Sequence, residues 1–246
     1  MKDVKGKVAV VTGSASGIGL AMCEHFAAAG MKLVMADLKD SPLEKEAERL
    51  RKSGTDVLTH ATDVSKWDQV QALAAATKAK FGGANVVCNN AGVRSMGTIW
   101  DTSIEDWNWV IGIDLFGVIH GVKAFTPDMM SRGEPGHFVN TSSVAGLVVV
   151  GTGNAPYNVS KHGVVALSES LHHELREAGA PIGVSVLCPG VIPTNLRENS
   201  NRLRPQGATP VQSRTIQSDM KPMTASNVGK LVLDGILNDR FWLLTH

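Results

Sequence analysis

Thr12-Gly13-Ser14-Ala15-Ser16-Gly17-Ile18-Gly19 follows an apolar, β-branched run, Val8 to Thr12, and opens a stretch of helical period from Gly17 to Ala29. Glycines let the chain turn sharply and let the backbone approach a pyrophosphate, while a helix N-terminus offers free N–H groups and positive dipole to phosphate charge. The order of strand, glycine turn and helix therefore predicts a dinucleotide site. We place Gly13, Ser16, Gly17, Ile18 and Gly19 at it, because TGxxxGIG in this context is more specific than an isolated GxGxxG.

Outward from that turn, β-branched runs alternate with longer helical stretches, the pattern of a parallel sheet covered by helices on both faces. Seven runs read as strands: Val8 to Thr12, Leu33 to Asp37, Val57 to Ala61, Asn85 to Asn89, His137 to Thr141, Ile182 to Cys188 and Phe241 to Leu244. Helices are expected at Gly17 to Ala29, Leu43 to Lys52, Val64 to Lys80 and Ala155 to Glu177, where Ala, Leu, Glu and Lys are frequent. No linker, repeat or low-complexity segment interrupts them. The expected fold is thus α/β, a single-domain Rossmann-type doubly wound fold over residues 1–246, with a seven-stranded parallel sheet. Glu105 to Met130 is apolar almost all round in helical projection and needs cover on more than one side, from the sheet and from a second subunit. Residues 193–221 lack periodicity and read as a substrate lid. The last strand ends two residues before the chain, which leaves little tail to close a pocket.

The 246 residues are 43% hydrophobic and 19% charged, which excludes disordered and fibrous classes. A formal charge of +1 supplies no general attraction for polyanions, so nucleic acid is not an expected partner. The N-terminus has no apolar signal core, and no run approaches the roughly 18 apolar residues of a spanning helix, so no membrane association is expected. Cys23, Cys88 and Cys188 are far apart and each lies in an apolar stretch, as reduced core residues of a cytoplasmic protein do.

Asp37 ends the second strand, eighteen residues after Gly19, where a carboxylate reaches the adenosine ribose. It accepts from a 2'-hydroxyl and repels a 2'-phosphate, which favours NAD over NADP, with Lys39 nearby as the opposing feature. Tyr157 and Lys161 stand four residues apart, one turn along the same helix face, and Tyr157 is the only tyrosine in the chain. A phenol near pKa 10 is a poor base at neutral pH, but a cation about 4 to 6 Å away favours its ionised form. The pair can then exchange a proton with an alcohol.

With these residues the chain resembles the classical short-chain dehydrogenase/reductase family over nearly its whole length. Asp63-Val64 matches the family's adenine contact, and Asn89-Asn90-Ala91-Gly92 the segment that lines the adenosine side, so Asn90 and Gly92 are carried over as cofactor residues. Pro189-Gly190-Val191-Ile192-Pro193-Thr194 looks like the segment beside the nicotinamide, with Ile192 and Thr194 at the carboxamide. Asn140-Thr141-Ser142-Ser143 is similar to the serine motif. We assign Ser143 to orienting the substrate oxygen, with Ser142 as the fallback. Ser143 and Tyr157 are fourteen residues apart, one more than in many members, so a bulged Leu147 to Asn154 loop is expected.

Asp114 is a departure, because the family usually has Asn there. The Asn main chain supports a water leading to the lysine, and an ionised carboxylate near Lys161 would partly cancel the charge that activates Tyr157. We expect Asp114 to change the pH optimum rather than abolish turnover.

The resemblance implies hydride transfer between nicotinamide C4 and a carbon bearing oxygen. Lys161 holds the cofactor ribose and biases Tyr157, which moves the proton. The partner is a small-molecule alcohol or ketone, and the assembly a homotetramer. The alternatives are an NADP-preferring carbonyl reductase and a catalytically silent nucleotide-binding sensor of the same fold. Val148, Val149, Val150, Met96 and Leu196 suggest an apolar pocket for a cyclic, aromatic or steroid-like secondary alcohol. No metal site is expected: His172 and His173 are adjacent rather than one turn apart and read as a solvated helix face, and His120 as a hydrogen-bonded interior residue. Arg197, Arg202, Arg204 and Arg214 read as a solvated part of the lid, or as an attraction for an anionic substrate.

Overall fold

Side chains on a central strand alternate between the two sides of the sheet, so one strand feeds two apolar layers. The computed structural model, which describes residues 1–205 and 221–246, has seven such strands in one sheet. In chain order they are Val8–Thr12 (β1), Lys32–Asp37 (β2), Val57–Ala61 (β3), Val86–Asn89 (β4), Gly136–Thr141 (β5), Ile182–Cys188 (β6) and Trp242–Leu244 (β7). All seven expected runs are strands, and only β2, β4, β5 and β7 start one residue away from the expected position.

Gly17–Ala28 (α1), Leu43–Lys52 (α2) and Ala225–Leu237 (α8) cover one face, where Ala9, Val11, Met22, Phe26, Leu33 and Val232 pack together. Trp67–Phe81 (α3), Gly117–Arg132 (α5) and Ala155–Glu177 (α6) cover the other, over Val10, Val34, Leu73, Phe125, Phe138 and Leu171. Ile104–Ile111 (α4) leads into α5, and Leu196–Leu203 (α7) lies beyond β6.

The sheet order is β3-β2-β1-β4-β5-β6-β7, every neighbouring pair parallel. The chain winds outward from β1 to β3 and then returns to the other side of β1 as β4. That reversal opens a crevice beyond the carboxyl ends of β1 and β4, where doubly wound sheets bind ligands.

Three expectations are corrected. The third helix begins at Trp67 and not at Val64, because the Asp63 carboxylate accepts from both the backbone N–H and the hydroxyl of Ser65 and holds a turn there. The apolar stretch after Glu105 is not a uniform helix: a π-helical turn, Gly112–Phe116, joins α4 to α5. The expectation that no segment matches a membrane span is also overturned, since the 29 residues Ile104–Arg132 have the length and apolarity of one. One side of this run packs inside the protein, with Val110, Asp114, Gly117, Val118, Gly121, Phe125 and Met129 buried in rows about one turn apart. The lid stretch contains α7, and its residues 206–220, with Arg214, lie outside the described residues.

Candidate active site

The turn after β1 is built from glycine for steric reasons. Gly13 and Gly17 have φ of 64° and 55°, in the left-handed region that side chains disfavour. A Cβ on Gly13 would stand 2.8 Å from the Ala91 Cα, and one on Gly17 3.3 Å from the Thr194 Cγ2. Asn90 fixes the turn from β4, its side-chain amide donating to the Thr12 carbonyl at 3.0 Å and its backbone N–H to the Thr12 hydroxyl at 2.9 Å. The result is a backbone cradle at the N-terminus of α1, shaped to take a pyrophosphate.

This cradle is one end of a cavity of about 280 Å³ running along the carboxyl ends of the strands. Gly13, Ser16, Gly17, Ile18, Asp37, Asp63, Val64, Asn90, Gly92, Ile192 and Thr194 all line it, with Ser143, Tyr157, Lys161 and Asp114 further along. Gly19 does not line it. A Cβ there would lie 2.2 Å from the Gly13 carbonyl oxygen, so Gly19 permits the helix to approach the turn. Asp37 stands at the end of β2 and accepts from the backbone N–H of Ala15 and of Leu38, at 2.9 and 2.8 Å. Burial pushes its carboxyl up, against these hydrogen bonds and the positive charge of Arg202 on α7.

Ser142 and Ser143 leave β5 in different directions. The Ser142 hydroxyl is buried and donates to the Lys161 carbonyl at 2.7 Å, so it is occupied in holding α6. Ser143 is half-buried, donates weakly to the Pro189 carbonyl at 3.3 Å and accepts from the Ala145 N–H. Of the two, Ser143 has the hydroxyl available to a ligand.

Pro156 starts α6, as proline does where the first N–H groups need no partner. Tyr157 therefore sits in the first turn, where the helix dipole favours negative charge, and Lys161 follows one turn later. The Lys161 ammonium lies 5.3 Å from the Tyr157 ring centroid, donates to the Thr141 carbonyl at 3.1 Å and meets the Asp114 carboxylate at 3.0 Å. Asp114, 0% exposed, comes from the π-helical turn, and its other oxygen accepts from the Val93 N–H at 2.7 Å. Burial disfavours the Lys161 charge, but Asp114 and Tyr157 outweigh it and hold the ammonium up. Burial likewise pushes the Asp114 carboxyl up, opposed by Lys161 and the Val93 N–H. Asp114 thus acts on Lys161 through its side chain, where the resemblance had pointed to the main chain.

The walls differ from expectation. Of the five apolar residues assigned to the pocket, only Leu196 lines the cavity. Val148 and Val149 are 56% and 73% exposed on a loop that turns outward through Gly151 and Gly153, both at positive φ. Val93, Ile113, Ile192 and Leu203 form the apolar lining instead. The arginines of the expected lid are not uniformly solvated: the Arg204 side chain is 6% exposed and paired with Asp106 on α4 at 3.4 Å, and Arg202 lines the cavity. His120 bonds the Val64 carbonyl at 2.8 Å, and His172 packs on Phe241. Sequence reasoning placed the segment Val93 to Gly97 at the substrate pocket without singling out Arg94, which is not among the residues lining the cavity but whose guanidinium lies 5.9 Å from the Tyr157 ring centroid.

A doubly wound sheet with a glycine cradle and a Ser–Tyr–Lys cluster at one crevice defines a nicotinamide-dependent oxidoreductase. The model of the short chain dehydrogenase family matches residues 7–204, and the chain belongs to that family. Across the whole chain it is similar to the crystal structure of a short chain dehydrogenase/reductase from Burkholderia phymatum in complex with NAD, at 41% identity and a TM-score of 0.92, covering 91% of that chain. It is 36% identical to 1-deoxy-11-beta-hydroxypentalenate dehydrogenase of Streptomyces exfoliatus, over 98% of this chain and 83% of that one. It is 38% identical to the C alpha-dehydrogenase of a Sphingobium species, over 83% of this chain and 66% of the relative.

Proposed function

We propose that the protein is an NAD-dependent alcohol dehydrogenase or ketone reductase acting on a secondary alcohol, cyclic, aromatic or steroid-like, or on the matching ketone. The observation that carries this reading is that Tyr157, with the Lys161 ammonium 5.3 Å from its ring centroid, lines together with the available Ser143 hydroxyl the cavity that the glycine cradle opens. The nicotinamide, when bound, supplies the hydride chemistry. Gly13, Ser16, Gly17 and Ile18 would hold its pyrophosphate, with Gly19 letting the helix approach. Asp37 would hold the adenosine ribose, Asp63, Val64, Asn90 and Gly92 the adenine side, and Ile192 and Thr194 the carboxamide. Ser143 donates to the substrate oxygen and Tyr157 takes or returns the hydroxyl proton. Lys161 holds the cofactor ribose hydroxyls and keeps positive charge beside the phenol. Asp114 orients Lys161 and tempers its field.

The relatives support the class: the Streptomyces enzyme is named as the dehydrogenase of a hydroxylated compound. Assembly as a homotetramer is part of the proposal and is supported by apolar side chains left uncovered on the α4–α5 run, among them Ile104, Phe116 and Met130. A cytoplasmic location is supported by three buried free cysteines. Residues 193–221 are proposed as a substrate lid, with α7 as its described part. Arg202, which lowers the cost of negative charge near Asp37, is the feature that favours the second reading, an NADP-preferring carbonyl reductase.

The test is NADH formation from NAD, and separately NADPH formation from NADP, over a panel of secondary alcohols with Tyr157→Phe beside the parent. The expected result is turnover that prefers NAD and is nearly lost in the variant, with NADH binding kept. Retained turnover in Tyr157→Phe removes the proton-transfer role. NADH binding without turnover of any alcohol favours the silent sensor.

A further inference from the structure

Beyond β4 the chain passes Gly92, whose open α-carbon faces the Asp114–Lys161 pair, and reaches Arg94 two residues later. Arg94 and Lys161 both put a cation near the Tyr157 ring, at 5.9 and 5.3 Å from its centroid. Their surroundings differ. Lys161 is paired with Asp114 at 3.0 Å, whereas among the described residues no carboxylate forms an ion pair with Arg94. The Arg94 Nε is buried with no hydrogen-bond partner, and one terminal nitrogen reaches only the Asn154 carbonyl oxygen, at 3.5 Å. The backbone N–H of Arg94 is fixed to the buried Ser200 hydroxyl of α7 at 3.0 Å, so the residue is held between the end of β4 and the lid.

A guanidinium carries five N–H donors in a planar fork that matches a carboxylate, and donors withdrawn from water without a partner are costly. Asp114 offsets part of the Lys161 charge, whereas Arg94 is a cation near Tyr157 with no carboxylate partner among the described residues. We propose that Arg94 is a specificity-determining residue that binds a carboxylate carried by the substrate, a few bonds from the reacting carbon, so that the preferred substrates are hydroxy acids and oxo acids. The inference rests on the alcohol dehydrogenase reading above and narrows its substrate class.

The test uses two acids, 4-(1-hydroxyethyl)benzoate and the flexible 5-hydroxyhexanoate, their methyl esters, and 1-phenylethanol as a neutral reference. Each is oxidised by the parent, Arg94→Met and Arg94→Lys, and kcat and KM are separated. The parent is expected to prefer at least one acid over its ester by about tenfold or more in kcat/KM, the scale of a hydrogen bond to a charged group. Arg94→Met is expected to bring that ratio near one, chiefly through KM of the acid, and Arg94→Lys to keep part of it. If Arg94→Met does not fold, a ratio unchanged in Arg94→Lys overturns the proposal, because the lysine cannot reproduce the fork. Equal losses for acid and ester, or no acid preference in the parent, also overturn it while leaving the dehydrogenase reading intact. Failure to oxidise any of the five compounds, 1-phenylethanol included, counts against the dehydrogenase reading itself and takes the proposal with it.

Discussion

Asp114 puts a carboxyl group where the family resemblance points to a neutral amide, and the sequence already showed the substitution. What it could not show is the direction of the side chain, because that depends on the π-helical turn, which adds a residue to one turn of the helix and leaves the carboxylate facing Lys161 at 3.0 Å. Asp114→Asn removes a charge that offsets Lys161. With that offset removed, the rising limb of the pH–rate profile for alcohol oxidation should move to lower pH, with turnover retained. An unmoved profile would assign Asp114 to packing alone. Tyr157 and Lys161 were legible because their one-turn spacing survives any helical setting. Arg94 was not singled out, since what sets it apart, the lack of a paired carboxylate among the described residues, depends on the fold.

At the scale of elements, the strands could be read because buried parallel strands are continuous β-branched runs, and the strand ends moved by no more than one residue. Side-chain turns are harder to read: Asp63 and Ser65 delay α3, and two outward glycines carry the expected pocket valines into solvent. Helix α7, in the stretch proposed as a lid, also escaped sequence reading, because its anchors come from distant segments. Arg204 pairs with Asp106, both largely buried, and Ser200 holds Arg94. Breaking a buried ion pair by removing one partner costs about 3 to 5 kcal/mol, more than an eight-residue helix can recover from its own propensity. Asp106→Ala should therefore speed amide hydrogen exchange across Leu196–Leu203 while leaving the central strands protected. Unchanged exchange in α7 would show that the pair does not hold the lid.

For the molecule as a whole, stability should depend on acid through a histidine remote from the cavity. His137 on β5 is 0% exposed, and its Nε2 meets the Ser185 hydroxyl at 2.7 Å, which itself donates to the Arg240 carbonyl. Burial lowers its pKa from 6.5 to about 4, against the pull of Asp239. The unfolded chain then binds more protons than the fold between these values, so stability present above pH 6.5 falls as pH drops and is fully lost below about 4. The shift corresponds to about 3 kcal/mol. Urea unfolding at pH 7, 5 and 4 should show a shallower acid loss for His137→Gln than for the parent, and parallel slopes would exclude His137 as a cause. One last feature ties two distant loops together: Gly97 donates its N–H to the Gly153 carbonyl at 3.0 Å and pairs as a parallel bridge with Asn154. The segments after β4 and before α6 are therefore stitched to each other although more than fifty positions separate them along the chain. Grafting one of them from another enzyme without its counterpart would break the seam, so the two loops have to be inherited, or engineered, as a matched pair.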